Sequence, residues 1–369
     1  PYGKLSYFYL FSVQRLGLTL IIIFMLLSIL ISLTLTLIIV LLPKSWVTDL
    51  DDLTGVQKFH HQPTPRIAGV PVFMSFFIGL WYLDLQEVDY VFLLLASLPV
   101  FMSGLIEDII VRVSPFKRMI SILASIVMMF VFLDIRIDFL GFTLVDYLLS
   151  NSIVSLLFTL LVVGGVVNAI NIIDGYNGLL IGYSIAVLLA IAYVANILGD
   201  DLVIQLSLIL IASLLGVFIF NFPFGKIFMG DGGAYFLGFI LAIIGLMMVD
   251  RHSELSNWFV LLVFIYPMYE LLYSIYRRKV FHKTDASQPD ANHLHSLVYR
   301  KLISCDRFKH NKVICNSMTA PVMWLLSLLG IIPAVIWFNN QTMLIVWAFV
   351  FMLVYTIIYR RIVHFKFKS

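Results

Sequence analysis

"NAINIIDGYNGLL" (residues 168–180) lies between "VSLLFTLLVVGGVV" (154–167) and "IGYSIAVLLAIAYVANIL" (181–198). Three asparagines, one aspartate and two glycines interrupt two runs of hydrocarbon side chains. Crossing about 30 Å of hydrocarbon takes about 20 apolar residues as a helix, so the stretch reads as a polar turn between two membrane spans. The same alternation repeats along the chain. Of its 369 residues 61% are hydrophobic and 12% charged, and the mean hydropathy is +1.01. A soluble domain carries about 25% charged residues. The composition therefore predicts an all-α polytopic membrane protein.

Eleven apolar runs are expected to span, at 17–42, 67–83, 88–106, 117–133, 152–171, 179–198, 202–221, 232–250, 257–276, 319–337 and 342–359. The second is short, and without it the number is ten. The longest polar stretch, 277–318, is too small for a soluble domain, so residues 1–369 read as a single integral membrane domain. Eleven spans put the loops at 43–66, 107–118, 172–178, 222–231 and 277–318 on one side with the C-terminus. Of the 24 lysines and arginines only Lys4, Arg15, Arg136 and Arg251 fall on the other side. Because positive charge is retained in the cytoplasm, the first set is expected to be cytoplasmic and the N-terminus outside. The net charge of +3 reflects that bias and implies no nucleic-acid partner.

The outward loops look like connectors, whereas five polar clusters crowd the other side. They are "QKFHHQPTPRIAG" (57–69), "GLIEDIIVRVSPFKR" (104–118), "NAINIIDGYNGL" (168–179), "FPFGKIFMGDGGAYFLGF" (222–239) and "DANHLHSLVYRK" (290–301). Ionisable groups near membrane depth are costly and mark functional sites. Glu107 and Asp108 end the third span, Asp174 ends the fifth and Asp231 opens the eighth. Each alone reads equally well as a solvated helix end, but four together with neighbouring amides suggest one composite site. Carboxylates and amide oxygens suit Mg²⁺, which takes one or two carboxylates plus substrate phosphates. That chemistry points to a diphosphate substrate.

Gly232 and Gly233 stand where a helix begins, and free N–H groups at a helix start make an anion site. Close helix packing is their bland alternative. Asn168, Asn171 and Gly175 share one helix face at i, i+3 and i+7, and Asn177 belongs to the turn that follows. Among the basic groups, Lys58, His60 and Arg66 flank a stiff "PTP" turn. His293, His295 and Arg300 lie in the large loop. Lys117, Arg118, Arg277, Arg278 and Lys279 read as positive-inside residues at lipid headgroups.

"KFHHQPTPRIAG", "GLIED", "NAINIIDGYNGL", "FMGDGGAYFLGF" and "DANHLHSLVYRK", in this order, resemble the polyprenyl-phosphate N-acetylhexosamine-1-phosphate transferase family over about residues 50–300. That family includes the bacterial cell-wall translocase and the initiating transferases of surface polysaccharides. The resemblance implies transfer of a sugar 1-phosphate from a UDP-sugar to undecaprenyl phosphate, with release of UMP and dependence on Mg²⁺, or Mn²⁺ in its place. It implies a bacterial inner-membrane enzyme whose active site faces the cytoplasm, with a homodimer as the assembly considered. By resemblance, Asp231 is the main metal ligand and Asn171 helps hold metal and diphosphate. Asp174 and Asn177 lie near the nucleotide, Glu107 and Asp108 handle the lipid phosphate nucleophile, and His293 and His295 contact the diphosphate or sugar.

The chain departs from the family pattern at Glu107, which replaces an Asp, at Asn177, where many members have Asp, at Ala68 for a Gly, and at Ser296 for a His. None of these removes an expected metal ligand. Together they favour an enzyme that initiates a surface polysaccharide such as O-antigen over the cell-wall translocase. The rival class is a transporter or flippase, whose polar breaks belong near the midplane and not at one face.

Overall fold

The computed structural model describes residues 2–42, 64–83, 89–109, 114–279, 292–303 and 312–364, with the backbone alone for 2–18 and 364. Among these residues every regular element is helical. Helix α1 (Tyr2–Leu41) is followed by α2 (Gly69–Leu83), α3 (Tyr90–Ile109), α4 (Pro115–Phe132), the short α5 (Thr143–Leu149) and α6 (Ser152–Ile173). Then come α7 (Leu179–Leu198), α8 (Asp201–Asn221), α9 (Gly230–Arg251), α10 (Asn257–Val263) and α11 (Ile265–Arg277). A four-residue α12 (Leu294–Leu297), α13 (Lys312–Ser317), α14 (Thr319–Ile336) and α15 (Gln341–His364) complete the chain.

Nine stretches among the described residues are long and apolar enough to cross a bilayer, with α13 and α14 counted as one. The bent pair α10–α11 makes a tenth and the fifteen-residue α2 is a shorter apolar helix. Each of the eleven expected runs thus has its helix or helix pair. The protein is an all-α polytopic membrane protein. Helix α5 lies between two of the runs and is too short to leave a spanning signal.

The bundle is built around α9, which is buried along most of its length and packs on α3, α6 and α2. Helix α1 closes against α8 and α2, where small residues let backbones approach. Ser32 Oγ donates to the Ser213 carbonyl at 2.6 Å, and a Cβ on Gly216 would stand 2.7 Å from the Leu33 nitrogen. Such small-residue seams are how membrane helices gain packing without a hydrophobic drive between them.

Between α10 and α11 the chain turns by 71°. Pro267 sits in the first turn of α11 and has no N–H for the carbonyl four residues back, that of Val263. The hydroxyl of buried Tyr183 donates to that carbonyl at 2.8 Å. The kink therefore leaves no orphaned acceptor there, and it sends α11 off in its own direction, carrying Glu270 and Arg277.

Candidate active site

The site starts where α9 starts. Residues 65–69 run beside 228–229: Phe228 N–H donates to the Pro65 carbonyl at 2.8 Å, and Ala68 and Gly69 N–H donate to the Phe228 and Met229 carbonyls, each at 3.0 Å. Gly230 then turns into the helix at φ +75°, a conformation that suits glycine. A Cβ there would collide with the Arg66 carbonyl oxygen, 1.8 Å away. Helix α3 comes equally close, since a Cβ on Gly104 would stand 2.4 Å from the Gly232 nitrogen.

This close approach delivers Asp108 to the helix start. Its Oδ1 accepts the Asp231 N–H at 3.0 Å and its Oδ2 accepts the Gly232 N–H at 2.9 Å. A carboxylate here satisfies two of the N–H groups that a helix leaves unpaired and sits at the positive end of its dipole. The sequence places a substrate phosphate at Gly232 and Gly233. In the structure Asp108 occupies the Gly232 N–H, and both glycines are buried against the backbones of α2 and α3.

Around Asp108 gather the other charged groups. Arg118, from the first turn of α4, donates through Nη1 to both Glu107 carboxylate oxygens at 3.1 Å and to the Tyr235 hydroxyl at 3.3 Å. The same nitrogen lies 3.9 Å from Asp231 Oδ2. Asn171 Nδ2, from the end of α6, donates to the same Tyr235 hydroxyl at 3.3 Å, which turns its amide oxygen the other way. Arg66 places its charge within reach of Glu107, Asp108 and Asp174. Asp174 ends α6, and burial pushes its carboxyl up to about 7. The Arg66 guanidinium works against that rise and the Asp231 carboxylate adds to it.

Asn168 is exposed, and its Nδ2 donates back to the Gly164 carbonyl of its own helix at 2.7 Å. It meets none of the acids through a hydrogen bond. Asn177 is buried and ties loops together: its backbone N–H donates to Asn316 Oδ1 at 2.9 Å and its Nδ2 to Ser317 Oγ at 3.0 Å. Next to it, the Gly178 N–H donates to Asn221 Oδ1 at 2.6 Å, which joins this turn to the segment leading into α9. His293 and His295 are buried and stacked, ring centroids 5.3 Å apart, with His295 against the edge of Tyr176. Arg300 is exposed and donates to Ser296 O at 3.3 Å and Asn292 Oδ1 at 3.1 Å. Lys58 and His60 lie outside the described residues.

Two members of the cluster were not expected from the sequence. Arg118 reads there as a headgroup-facing cation, and the sequence singles out no role for Tyr235. Tyr235 stands four residues after Asp231, one turn along the same face, and that spacing is the signal that locates it. Among the described residues no three His, Cys, Asp or Glu side chains converge to hold a metal ion unaided.

A family model described as glycosyl transferase family 4 matches residues 90–249. A phospho-N-acetylmuramoyl-pentapeptide-transferase of Lactobacillus johnsonii is 30% identical over 232 residues, covering 56% of this chain and 69% of the relative. The chain belongs to glycosyl transferase family 4. A Bacillus subtilis member, "Probable undecaprenyl-phosphate N-acetylglucosaminyl 1-phosphate transferase", is 29% identical over 241 residues, 65% of this chain and 66% of that protein. An undecaprenyl-phosphate alpha-N-acetylglucosaminyl 1-phosphate transferase of Thermotoga maritima is 27% identical over 255 residues, 69% of this chain and 75% of that one. The chain thus spans about two thirds to three quarters of the length of these relatives. The family 4 match takes in Glu107, Asp108, Arg118, Asn171, Asp174, Asp231 and Tyr235, and leaves His293, His295 and Arg300 beyond its end.

Proposed function

We propose that this family 4 protein transfers a sugar 1-phosphate from a UDP-sugar to undecaprenyl phosphate and releases UMP. The observation that carries this reading is the cluster at the start of α9. Four carboxylates, Glu107, Asp108, Asp174 and Asp231, surround two guanidiniums, Arg66 and Arg118. Such an excess of negative charge calls for a divalent cation, and the mixed signs suit a diphosphate bound through that cation. The names of the relatives carry the same chemistry. A transporter would need its polar breaks near mid-membrane, whereas these lie where helices α3, α6 and α9 end or begin.

Mg²⁺ fits the donor set. Asp231 has a carboxylate oxygen held only at 3.9 Å by Arg118, and Asn171 keeps its amide oxygen because its nitrogen faces Tyr235. Those two would hold the ion, the diphosphate supplying further oxygens as Mg²⁺ prefers. When bound, the ion would neutralise charge on the diphosphate and on the departing UMP.

The protein's own groups do the rest. One oxygen of the lipid phosphate attacks the sugar-linked phosphorus, a new P–O–P bond forms, and the bond from that phosphorus to the UMP oxygen breaks. Phosphoryl transfer needs in-line placement and charge stabilisation more than covalent help. The nucleophile is largely ionised at neutral pH, so no strong base is required. Arg66 and Arg118 are placed to draw in the two anions. Glu107 holds Arg118 toward Asp231, and Asp108 holds the α9 start. The donor is read as a UDP-N-acetylhexosamine or a deoxy derivative, and the product as the first lipid intermediate of a surface polysaccharide. The charge bias of the loops supports placing the site on the cytoplasmic face of the bacterial inner membrane.

The test is an assay with purified protein, undecaprenyl phosphate, Mg²⁺ and a panel of UDP-sugars labelled in the sugar. One donor is expected to give a labelled lipid diphosphate and an equal amount of UMP, in a reaction that EDTA stops. Absence of UMP release with every donor would sink the proposal.

A further inference from the structure

One buried acid has no part in the chemistry above. Glu270, on α11 just beyond the Pro267 kink, is 1% exposed. Its Oε1 accepts the Leu294 N–H at 3.0 Å and lies 3.0 Å from His293 Nδ1, and its Oε2 accepts the Tyr355 hydroxyl of α15 at 2.8 Å. The His293 ring stacks on His295 with an interplanar angle of 11°. His295 Nε2 in turn stands 3.5 Å from where a Cβ on Gly175 would be. His295 also meets the edge of the Tyr176 ring, so contacts run from a buried carboxylate, through two imidazoles, to the loop that carries Asp174.

A carboxylate only accepts, and here a backbone N–H and a hydroxyl already donate to it. His293 consequently meets it with the proton on Nδ1. The other nitrogen, Nε2, then gains a proton only when the ring becomes an imidazolium. That cationic form offsets the buried negative charge and can donate to a phosphate oxygen.

Anchoring the loop does not need this acid. Arg277 already donates to the Asn292 carbonyl and the Tyr359 hydroxyl, and Tyr359 donates to the same carbonyl at 3.0 Å. A neutral tie would fasten the segment without the cost of burying a charge.

We infer that Glu270 is a positioning residue for the transfer reaction. It fixes His293 with its proton on Nδ1 and supplies the counter-charge that lets the imidazolium face an anionic diphosphate. This rests on the proposed transferase reading. Glu270 acts through His293 and does not itself touch substrate.

The test combines ring-nitrogen NMR with kinetics on the full-length protein. The chain has eight histidines, so selective ¹⁵N-histidine labelling, with His293→Gln to assign the signal, isolates the ring of interest. In the wild type Nδ1 is expected to be protonated, and added UDP with Mg²⁺ should bring the second proton onto Nε2. Glu270→Gln, which keeps the size and can still bond Leu294 and Tyr355, should abolish that response. It should also lower kcat about 10- to 100-fold, the size of effect known for changing the carboxylate partner behind a functional histidine, here through loss of the counter-charge. In a His293→Gln background the same change should cost nothing further, because the path is already cut.

A bare Nδ1 in the wild type overturns the inference, and that spectrum needs no variant to fold. So does a Glu270→Gln loss that adds in full to that of His293→Gln, since that marks a purely structural role. If the wild type releases no UMP from any donor, the transferase reading fails, while the nitrogen spectrum still reports on the Glu270–His293 pair by itself.

Discussion

Asp108→Asn separates the two acids of the "ED" pair by what each one holds. In the wild type the Asp108 carboxylate accepts two backbone N–H groups at the start of α9, at 3.0 and 2.9 Å. An asparagine offers one acceptor oxygen and one N–H₂, so either the Asp231 or the Gly232 N–H is left facing another donor. An unmet buried donor costs about 1–3 kcal/mol, and losing a charge at a partly buried helix N-terminus adds up to about 2 kcal/mol. The two effects overlap, so destabilisation of about 2–4 kcal/mol is expected. For a chain of 369 residues that is a fall in Tm of roughly 3–5 °C.

The assay is thermal unfolding in a single detergent, with Asp231→Asn measured alongside. The Asp231 side chain caps nothing and meets Arg118 only at 3.9 Å, so its loss should leave Tm within about 2 °C of wild type, as for a weak ion pair. Both variants are expected to lose turnover, but only Asp108→Asn should lose stability. If Asp108→Asn melts with the wild type, the carboxylate does not clamp the helix start, and the account of the α3–α9 junction fails.

Three further outcomes follow from the same geometry. Gly104→Ala puts a methyl 2.4 Å from the backbone nitrogen of Gly232; backbone cannot step aside as a side chain would, so a cost of about 1–3 kcal/mol should appear as a lower Tm with turnover reduced in step. The Asp174 carboxyl rises from 3.8 to about 7 through burial, opposed by Arg66 and reinforced by Asp231; the folded protein holds this proton more tightly than the unfolded chain does. Its stabilising contribution is thus full below about pH 4 and lost as pH rises through 7, so the ligand-free Tm should fall across that window and fall less steeply in Asp174→Asn. Asn177→Asp replaces the donor to Ser317 Oγ with a buried negative charge; it is expected to destabilise by more than about 2 kcal/mol, seen as a lower Tm and a lower yield of monodisperse protein.

Why some of this site was legible in the sequence and some was not comes down to the range over which each signal acts. A membrane span is a local property: about 20 apolar residues in a row satisfy the bilayer whatever surrounds them, so the runs could be counted before any contact was known. The turn at 168–180 was legible for the same reason, because polar groups between two such runs have to lie at an end. What those groups touch is not local. Asn168, Asn171 and Gly175 share a helix face by spacing, yet Asn168 bonds its own helix while Asn171 meets Tyr235, and the difference is made by α9 packing beside α6. Arg118 looks like its neighbour Lys117 in the sequence, but the orientation of α4 against α3 brings Arg118 alone onto Glu107. Gly232 invites a phosphate only as long as no carboxylate is known to reach its N–H, and Asp108 arrives from 124 residues away because Gly104 lets two backbones nearly touch. Residue types therefore announced an acidic, phosphate-handling face, whereas the assignment of each acid depended on long-range backbone approach. Within that face, the acid that tethers the helix start and the acid proposed to meet a cation stand as near neighbours, told apart by hydrogen bonds to backbone and not by residue type.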